Sequence, residues 1–321
     1  MPKRIDLSKF RKRADAVSAL VVVSHVALVL GPIYIAAYMG PRPSWILLCL
    51  WFGILMNGLL NLMHECAHYH TFRERSASDF LGRWILGPLA GANFDAYRAR
   101  HWQHHLHLGS DEDTKDAYLI DVHREKLLWF LLRCLFLGEA IRKFRHQTAD
   151  TPMKEARNSS TWMLRAVFLH ALLFASLAAV AGDVRGRSWG VAFEIAALAY
   201  AAIYAYGLAS VTVFMSTLRA IAEHQVESGM AGDHGRAALR NFARGPLSWL
   251  IFGAYGFSEH GTHHCEPGLP YYWLPEATRE LALANTELAP MRRYTQELLI
   301  MFRSVSLAAM MPEASAAPRE P

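Results

Sequence analysis

Four long apolar stretches set the strongest limit on what this chain can fold into. Each is near the roughly 20 helical residues that cross a hydrocarbon layer, and each carries few charged residues. A helix in the core of a large soluble protein can also be apolar on all sides, but four blocks of this length in one chain favour a membrane protein. The sequence therefore predicts an all-α integral membrane bundle with about four transmembrane helices. The predicted spans are residues 15–37, 45–63, 161–181 and 189–218.

The basic amino-terminal segment, residues 1–14, predicts the orientation of the bundle. Clustered Lys and Arg favour the cytoplasmic side of a membrane, so the amino terminus is expected there. Four crossings then return residues 64–160 and the chain from 219 onward to the same side. The net charge of +5 is explained by this topology and by anionic lipid, so no nucleic-acid partner is required.

The remaining segments are expected to form a cytoplasmic helical cap on a single membrane domain, residues 15–300. Residues 80–91 and 127–141 are apolar but short or interrupted, which predicts helices at the membrane interface or in the cap. Residues 301–321 are rich in Ala and Pro, and this composition predicts a disordered tail.

Nine of the sixteen histidines gather at or just beyond the ends of the predicted spans. The first box, HECAH (64–68), continues the second span, so its two imidazoles share a helix face. The second box, HWQHH (101–105), and the third, HGTHH (260–264), have identical spacing, which places the three imidazoles of each within about 100° of a helix. His224 ends the long helix that contains the fourth span. One ion takes four to six donors, so nine imidazoles predict two ions.

The other histidines fit structural roles. His70 and His107 each lie two residues beyond a box histidine, so on a helix they would point away from the site. His25 and His170 are single histidines in apolar helices and are expected to pack against or bond to a neighbour. The histidines expected on the surface are His123, His146 and His234.

Two asparagines extend a polar stripe along the second span. Asn57 and Asn61 precede His64 by seven and three residues, on the face that also carries His68. Polar side chains at membrane depth face either a cavity or a neighbouring helix, and the sequence leaves both interpretations open.

With these motifs, the chain resembles the membrane fatty acid desaturases. The three boxes match the family pattern HxxxH, HxxHH and HxxHH in order, and two membrane segments separate the second box from the third. The resemblance covers roughly residues 45–285. It includes the acidic turn GSDEDTKD (109–116), RAIAEH (219–224) and EPGLPYYWLPE (266–276). It implies two iron ions that activate O2 and remove hydrogen from an unactivated C–H bond of an acyl or alkyl chain.

The resemblance also implies a ligand set. The ligands would be His64, His68, His101, His104, His105, His260, His263 and His264, with His224 as the ninth. Some relatives carry an Asn four residues before the lone histidine to hold a metal-bound water, whereas this chain has Ala220 there. The candidates for holding such a water, or for supporting the ligands, are Asn57, Asn61, Glu65 and Glu223.

Electrons for such chemistry would have to come from another protein. The sequence contains no haem signature, no iron–sulfur spacing and no dinucleotide-binding glycine motif, and its four cysteines are scattered. A ferredoxin or cytochrome-type donor with its reductase is therefore expected, together with a membrane lipid or acyl-chain substrate.

Three other functions remain open at this stage. The same ligands would serve a hydroxylase, because rebound of a hydroxyl gives an alcohol where loss of a second hydrogen gives an alkene. HECAH also reads as the zinc protease motif HExxH, with Glu65 as general base, but two histidine triplets would then have no role. A histidine-rich metal carrier would need ligands spread along a path across the bilayer.

Overall fold

The computed structural model describes residues 6–110, 112–114, 126–149, 160–183, 186–224, 239–284, 288–290 and 292–308. Throughout these ranges the chain is helical, apart from turns and one isolated bridge between Phe242 and Arg292. The principal helices, numbered here in chain order, are α1 (Asp15–Met39), α2 (Trp45–Ala67), α3 (75–89), α4 (Phe94–Leu106), α5 (Leu127–Leu135), α6 (Gly138–Ala149), α7 (Ser160–Asp183), α8 (Trp189–His224), α9 (His260–Cys265), α10 (Leu274–Ala284) and α11 (Tyr294–Ala308).

Four of the described helices, α1, α2, α7 and α8, are long and apolar enough to span a membrane. Their outward faces are apolar as well. Leu20, Leu47 and Leu164 each expose more than 65% of their surface. A helix that faced water would carry polar residues at such positions. The predicted all-α membrane bundle with four spanning helices is therefore confirmed.

The centre of the bundle is α2, whose inner face is closely packed. Phe52, Met56 and Leu59 are completely buried among the other spanning helices. Opposite them, α8 contains two π-helical segments, Tyr200–Ala205 and Leu208–Thr212. Such segments insert an extra residue into a helical turn and commonly occur near functional sites. The packing between α2 and α8 matters because both helices end in histidines of the predicted site.

The two short apolar stretches fold as the sequence predicts, as helices too short to be counted among the spans. The first lies within α3, whose Pro88 carbonyl is 3.1 Å from Nε2 of His170 on α7. The second is divided between α5 and α6 at Leu137, a non-glycine residue with a φ of 61°.

The carboxyl-terminal helix differs from the prediction. α11 runs to Ala308, inside the segment 301–321 for which disorder is expected. The helix continues because apolar residues recur beyond 301, at Phe302, Val305 and Leu307. Residues 309–321 lie outside the described ranges.

Residues before α1 lie at the same end of the bundle as the end of α2. The backbone N–H of Arg73 donates to Oδ1 of Asp15 at 2.9 Å. The indole N–H of Trp273 and the hydroxyl of Tyr272 both donate to the Lys12 carbonyl, at 3.0 and 3.1 Å. The segment after the third box is therefore attached to the amino-terminal segment.

Candidate metal centre

Four helices bring the nine predicted histidines to one end of the bundle. The last turn of α2 carries His64 and is followed directly by His68, and His224 is the last described residue of α8. The second box lies on α4, which is capped by Asn93, whose side chain accepts from the backbone N–H groups of Asp95 and Ala96. The third box forms the short helix α9.

One group of five imidazoles forms where the first box meets the other two. It consists of His64, His68, His101, His105 and His263, each offering a ring nitrogen within 4.8 Å of the others. The Nε2 atoms of His68 and His101 are 2.7 Å apart, and those of His101 and His105 are 3.0 Å apart. All of these residues are buried except His105, which is partly buried.

A second group forms beside the end of α8. Ring nitrogens of His104, His224 and His264 lie within 4.8 Å of one another, and so do ligand atoms of Glu223, His224 and His260. The Nε2 atom of His260 is 2.8 Å from that of His224 and 3.1 Å from that of His264. His224, the least certain of the predicted positions by spacing alone, is thus placed with the box histidines.

The second and third boxes are each shared between the two groups. His101 and His105, four residues apart on α4, face the first group, while His104 faces the second. In the third box the assignment is reversed: His260 and His264 belong to the second group, and His263 belongs to the first. The shared spacing HxxHH therefore lets one helix contribute to two adjacent sites.

The donor atoms suit a transition metal. Two nitrogens bound at right angles to an ion about 2.1 Å away would be about 3 Å apart, close to the separations of 2.7 to 3.3 Å among these Nε2 atoms. Nε2 of His64 is buried, and no described residue hydrogen-bonds to it. Burial, and next the nearby imidazole of His68, lower the pKa of His263 well below its usual value and favour the neutral ring that ligates metals.

Two carboxylates bind the outer nitrogens of these rings. Oε1 of Glu65 is 3.0 Å from Nδ1 of His64, and Oδ1 of Asp113 is 2.7 Å from Nδ1 of His104. Oδ2 of Asp113 also accepts from the backbone N–H of Gly109 at 2.7 Å, so Asp113 connects the acidic turn to the ring of His104. Metal-bound histidines typically have such a partner, which fixes the tautomer and the ring orientation.

Asp113 is a residue that sequence reasoning did not single out. It was only one of several acids in the turn after the second box, and no spacing rule distinguishes it from Glu112. The structure separates the two, because the Asp113 side chain is fully buried whereas 75% of the Glu112 side chain is exposed, beside His107.

The asparagines of the polar stripe bond to a neighbouring segment. The side-chain amide of Asn57 donates to the Ile251 carbonyl at 2.7 Å, and that of Asn61 donates to the Ala254 carbonyl at 2.9 Å. Of the two interpretations that the sequence left open, this geometry favours attachment to a neighbouring helix. Both amides hold the segment that leads into the third box.

The histidines predicted to be structural lie outside both groups. His70 is buried with its Nδ1 3.3 Å from Oε2 of Glu65, and His107 pairs with Glu112. His25 lies between the Leu55 carbonyl and the hydroxyl of Tyr255, at 2.8 and 2.9 Å. His123 and His234 are outside the described residues, as is the side chain of His146.

Comparison with known proteins identifies the family. Residues 43–295, well over half of the chain, match the model of the fatty acid desaturase family. A curated relative, the sn-1 oleoyl-lipid 12-desaturase of Synechocystis sp. (strain ATCC 27184 / PCC 6803 / Kazusa), is 31% identical over 106 residues. That match covers 32% of this chain and 28% of the relative. The chain is a membrane protein that belongs to the fatty acid desaturase family.

Proposed function

We propose that this protein is an O2-dependent di-iron desaturase that introduces a double bond into the alkyl or acyl chain of a lipid or lipid-like substrate. The observation that carries the proposal is the assembly of nine imidazoles into two adjacent, largely buried groups. Family membership and the partial similarity to an oleoyl-lipid desaturase support it.

The ligand set suits iron that must react with oxygen. His64, His68, His101, His105 and His263 would hold one ion, and His104, His224, His260 and His264 would hold the other. Imidazole is a ligand that iron accepts, and an ion that takes up to about six donors would keep a position for an exogenous ligand beside four or five imidazoles. When bound, the iron pair would supply the reductive activation of O2. The balance is one CH2–CH2 unit, O2, two electrons and two protons giving one CH=CH unit and two waters.

The protein's own residues would position the reactants and exclude solvent. Glu65 and Asp113 fix the rings of His64 and His104 from behind, so that both Nε2 atoms stay directed inward. The apolar helices beside the site would hold an acyl chain in a region with little water, where a reactive oxidant meets only the substrate. The carbon placed nearest the site would determine the position of the double bond.

The remaining parts of the proposal are the electron donor and the orientation. A ferredoxin or a cytochrome-type carrier with its reductase would deliver the two electrons. The amino terminus, the metal site and the carboxyl terminus would face the cytoplasm. The contacts of Lys12 and Asp15 with residues near the boxes support a common side for the amino terminus and the site.

Lipid analysis of expressing cells tests the activity. Cells that produce the protein are expected to contain lipids two mass units lighter than those of cells producing a His104→Ala variant, with oxygen required. Mass spectrometry of intact lipids and released acyl chains would locate the new double bond. A product 16 mass units heavier would assign hydroxylation instead, and identical profiles in the two strains would contradict both activities.

Removal of the Asp113 carboxylate is expected to weaken the site without removing a ligand. Asp113→Ala removes the carboxylate that contacts Nδ1 of His104, so we expect iron affinity or turnover to fall about 10- to 100-fold. Glu112→Ala, one residue earlier and largely exposed, is the matched control and is expected to match wild type. Iron titration of both purified variants would check this. Equal iron affinity and turnover in the two would contradict a supporting role for Asp113.

A further inference from the structure

Glu223 faces a different ring nitrogen from the one that the other acids near the site face. Glu65 and Asp113 contact Nδ1 atoms, on the outer side of their imidazoles. Oε2 of Glu223 instead lies 3.8 Å from Nε2 of His260. That same Nε2 atom is 2.8 Å from Nε2 of His224, so it belongs to the inward set of the second group.

The other oxygen of Glu223 is held away from the histidines. Oε1 lies 2.8 Å from the hydroxyl of Tyr294 and 3.6 Å from Nε of Arg219, one turn earlier on α8. The same hydroxyl, which has one proton to donate, lies 2.5 Å from the Phe257 carbonyl. Both Glu223 and Tyr294 are completely buried. The two partners thus fix the carboxylate so that Oε2 is the oxygen nearest the imidazoles.

A carboxylate in this interior is costly, because burial penalises the charged form. Arg219 offsets part of that cost, and its guanidinium lies over the ring of Phe257, 4.1 Å from the centroid. A cation bound by the second histidine group would stabilise the carboxylate further. The fold therefore maintains a buried acid at the point where the four imidazoles of the second group converge.

We infer that Glu223 supplies an oxygen ligand to the metal ion of the second histidine group, either directly or through a bound water. The inference rests on the proposed function, since it presumes that the group binds iron. It makes the two sites chemically different: the first would have five imidazoles, and the second would have four imidazoles and one oxygen, from the carboxylate or from the water that it holds. Ala220, one turn earlier, has only a methyl group and cannot hold a water.

Iron binding by three purified full-length variants tests this role. The variants are Glu223→Gln, Glu223→Ala and, as a matched control on the same helix, Glu194→Gln, whose side chain lies on an exposed face. We expect the Glu223 variants to bind one of two irons at least about 10-fold more weakly, with the other unchanged. Mössbauer spectra of the fully loaded protein are expected to change in one of two subspectra. Glu194→Gln is expected to match wild type in both measurements.

A Tyr294→Phe variant separates ligation from support of the fold. It removes the hydroxyl that contacts Oε1 and the Phe257 carbonyl but leaves the carboxylate, so both irons should remain, with a smaller spectral change than in Glu223→Ala. Equal loss of both irons together with a lower melting temperature in the Glu223 variants would show a purely structural role and overturn the inference. Unchanged affinities and spectra in folded Glu223 variants would overturn it too. Both results leave the proposed function intact, whereas a wild-type chain that binds no iron would overturn both.

Discussion

Alanine at position 105 is expected to abolish product formation, while alanine at position 107 leaves it near the wild-type level. The two histidines lie two residues apart at the end of α4, but they face different surroundings. His105 has its Nε2 3.0 Å from that of His101 and 3.3 Å from that of His263, within the first group. His107 pairs with the exposed Glu112 and belongs to neither group.

The expected size of the effect follows from the role of each ring. Loss of a residue behind a ligand typically costs 10- to 100-fold in affinity or activity, so loss of a ligand in His105→Ala should lower turnover by more than about 100-fold. The iron content is expected to fall from two per chain toward one. Iron analysis and lipid mass spectrometry on both variants would check this. Similar iron content and product in the two variants would remove the histidine groups from the mechanism.

Iron content and lipid products also distinguish a di-iron desaturase from a zinc protease. The zinc of a protease takes three protein ligands and keeps one position for water. His64, His68 and one further residue could provide those three ligands. The structure surrounds these two rings with three more imidazoles from α4 and α9. Glu65 is also turned toward Nδ1 of His64 and accepts from the backbone N–H of Tyr271 at 3.1 Å. Those contacts engage both carboxylate oxygens of Glu65, the residue that would be the general base in a zinc protease.

Periodicity predicts those parts of this protein that depend on local spacing. The four spans follow from the length of apolar runs, and the grouping of box histidines follows from the helical repeat. The place of His224 on α8 could also be expected, because the helical pattern of the fourth span continues to that residue. These features can be predicted without knowing which residues contact one another in the tertiary structure.

Residues chosen by tertiary geometry could not be ranked from the sequence. Asp113 and Glu112 are neighbours in one acidic turn, yet only Asp113 reaches a ring. Asn57 and Asn61 lie on the stripe that leads to the first box, yet their amides bond to carbonyls of a distant segment. The division of each HxxHH box between two groups also depends on how α4 and α9 cross, and sequence spacing does not specify that crossing.

The contact between α2 and α8 depends on a glycine, and it provides the second test with a large expected effect. A Cβ atom added at Gly53 would lie 2.4 Å from both Cβ and Cγ1 of Val211, closer than such atoms approach. Val211 is β-branched and lies in the π-helical segment Leu208–Thr212, so it cannot turn aside easily. The two helices would have to separate, and both end in histidines of the candidate centre.

Gly53→Ala is therefore expected to destabilise the protein by about 1 to 3 kcal/mol, the usual cost of overpacking a close interface. Gly190→Ala, in the first turn of α8, is the matched control, since a Cβ there meets no atom within 4 Å. It should be neutral or stabilising by up to about 1 kcal/mol, because alanine favours a helix more than glycine does. The two substitutions are thus expected to differ in sign. Thermal unfolding in detergent, followed together with iron retention, would measure both.

A double-mutant cycle identifies the cause of the Gly53 effect. Val211→Gly removes the two atoms nearest to the new methyl group and leaves the Thr212 nitrogen at 3.2 Å, so the double variant with Gly53→Ala should be more stable than the sum of the single changes predicts. Iron retention should recover with it, because the same helix contact positions His64 and His68 relative to His224. Additive losses, or equal stability of Gly53→Ala and Gly190→Ala, would mean that α2 and α8 do not approach closely at this point. The alignment of the two histidine groups would then need another explanation.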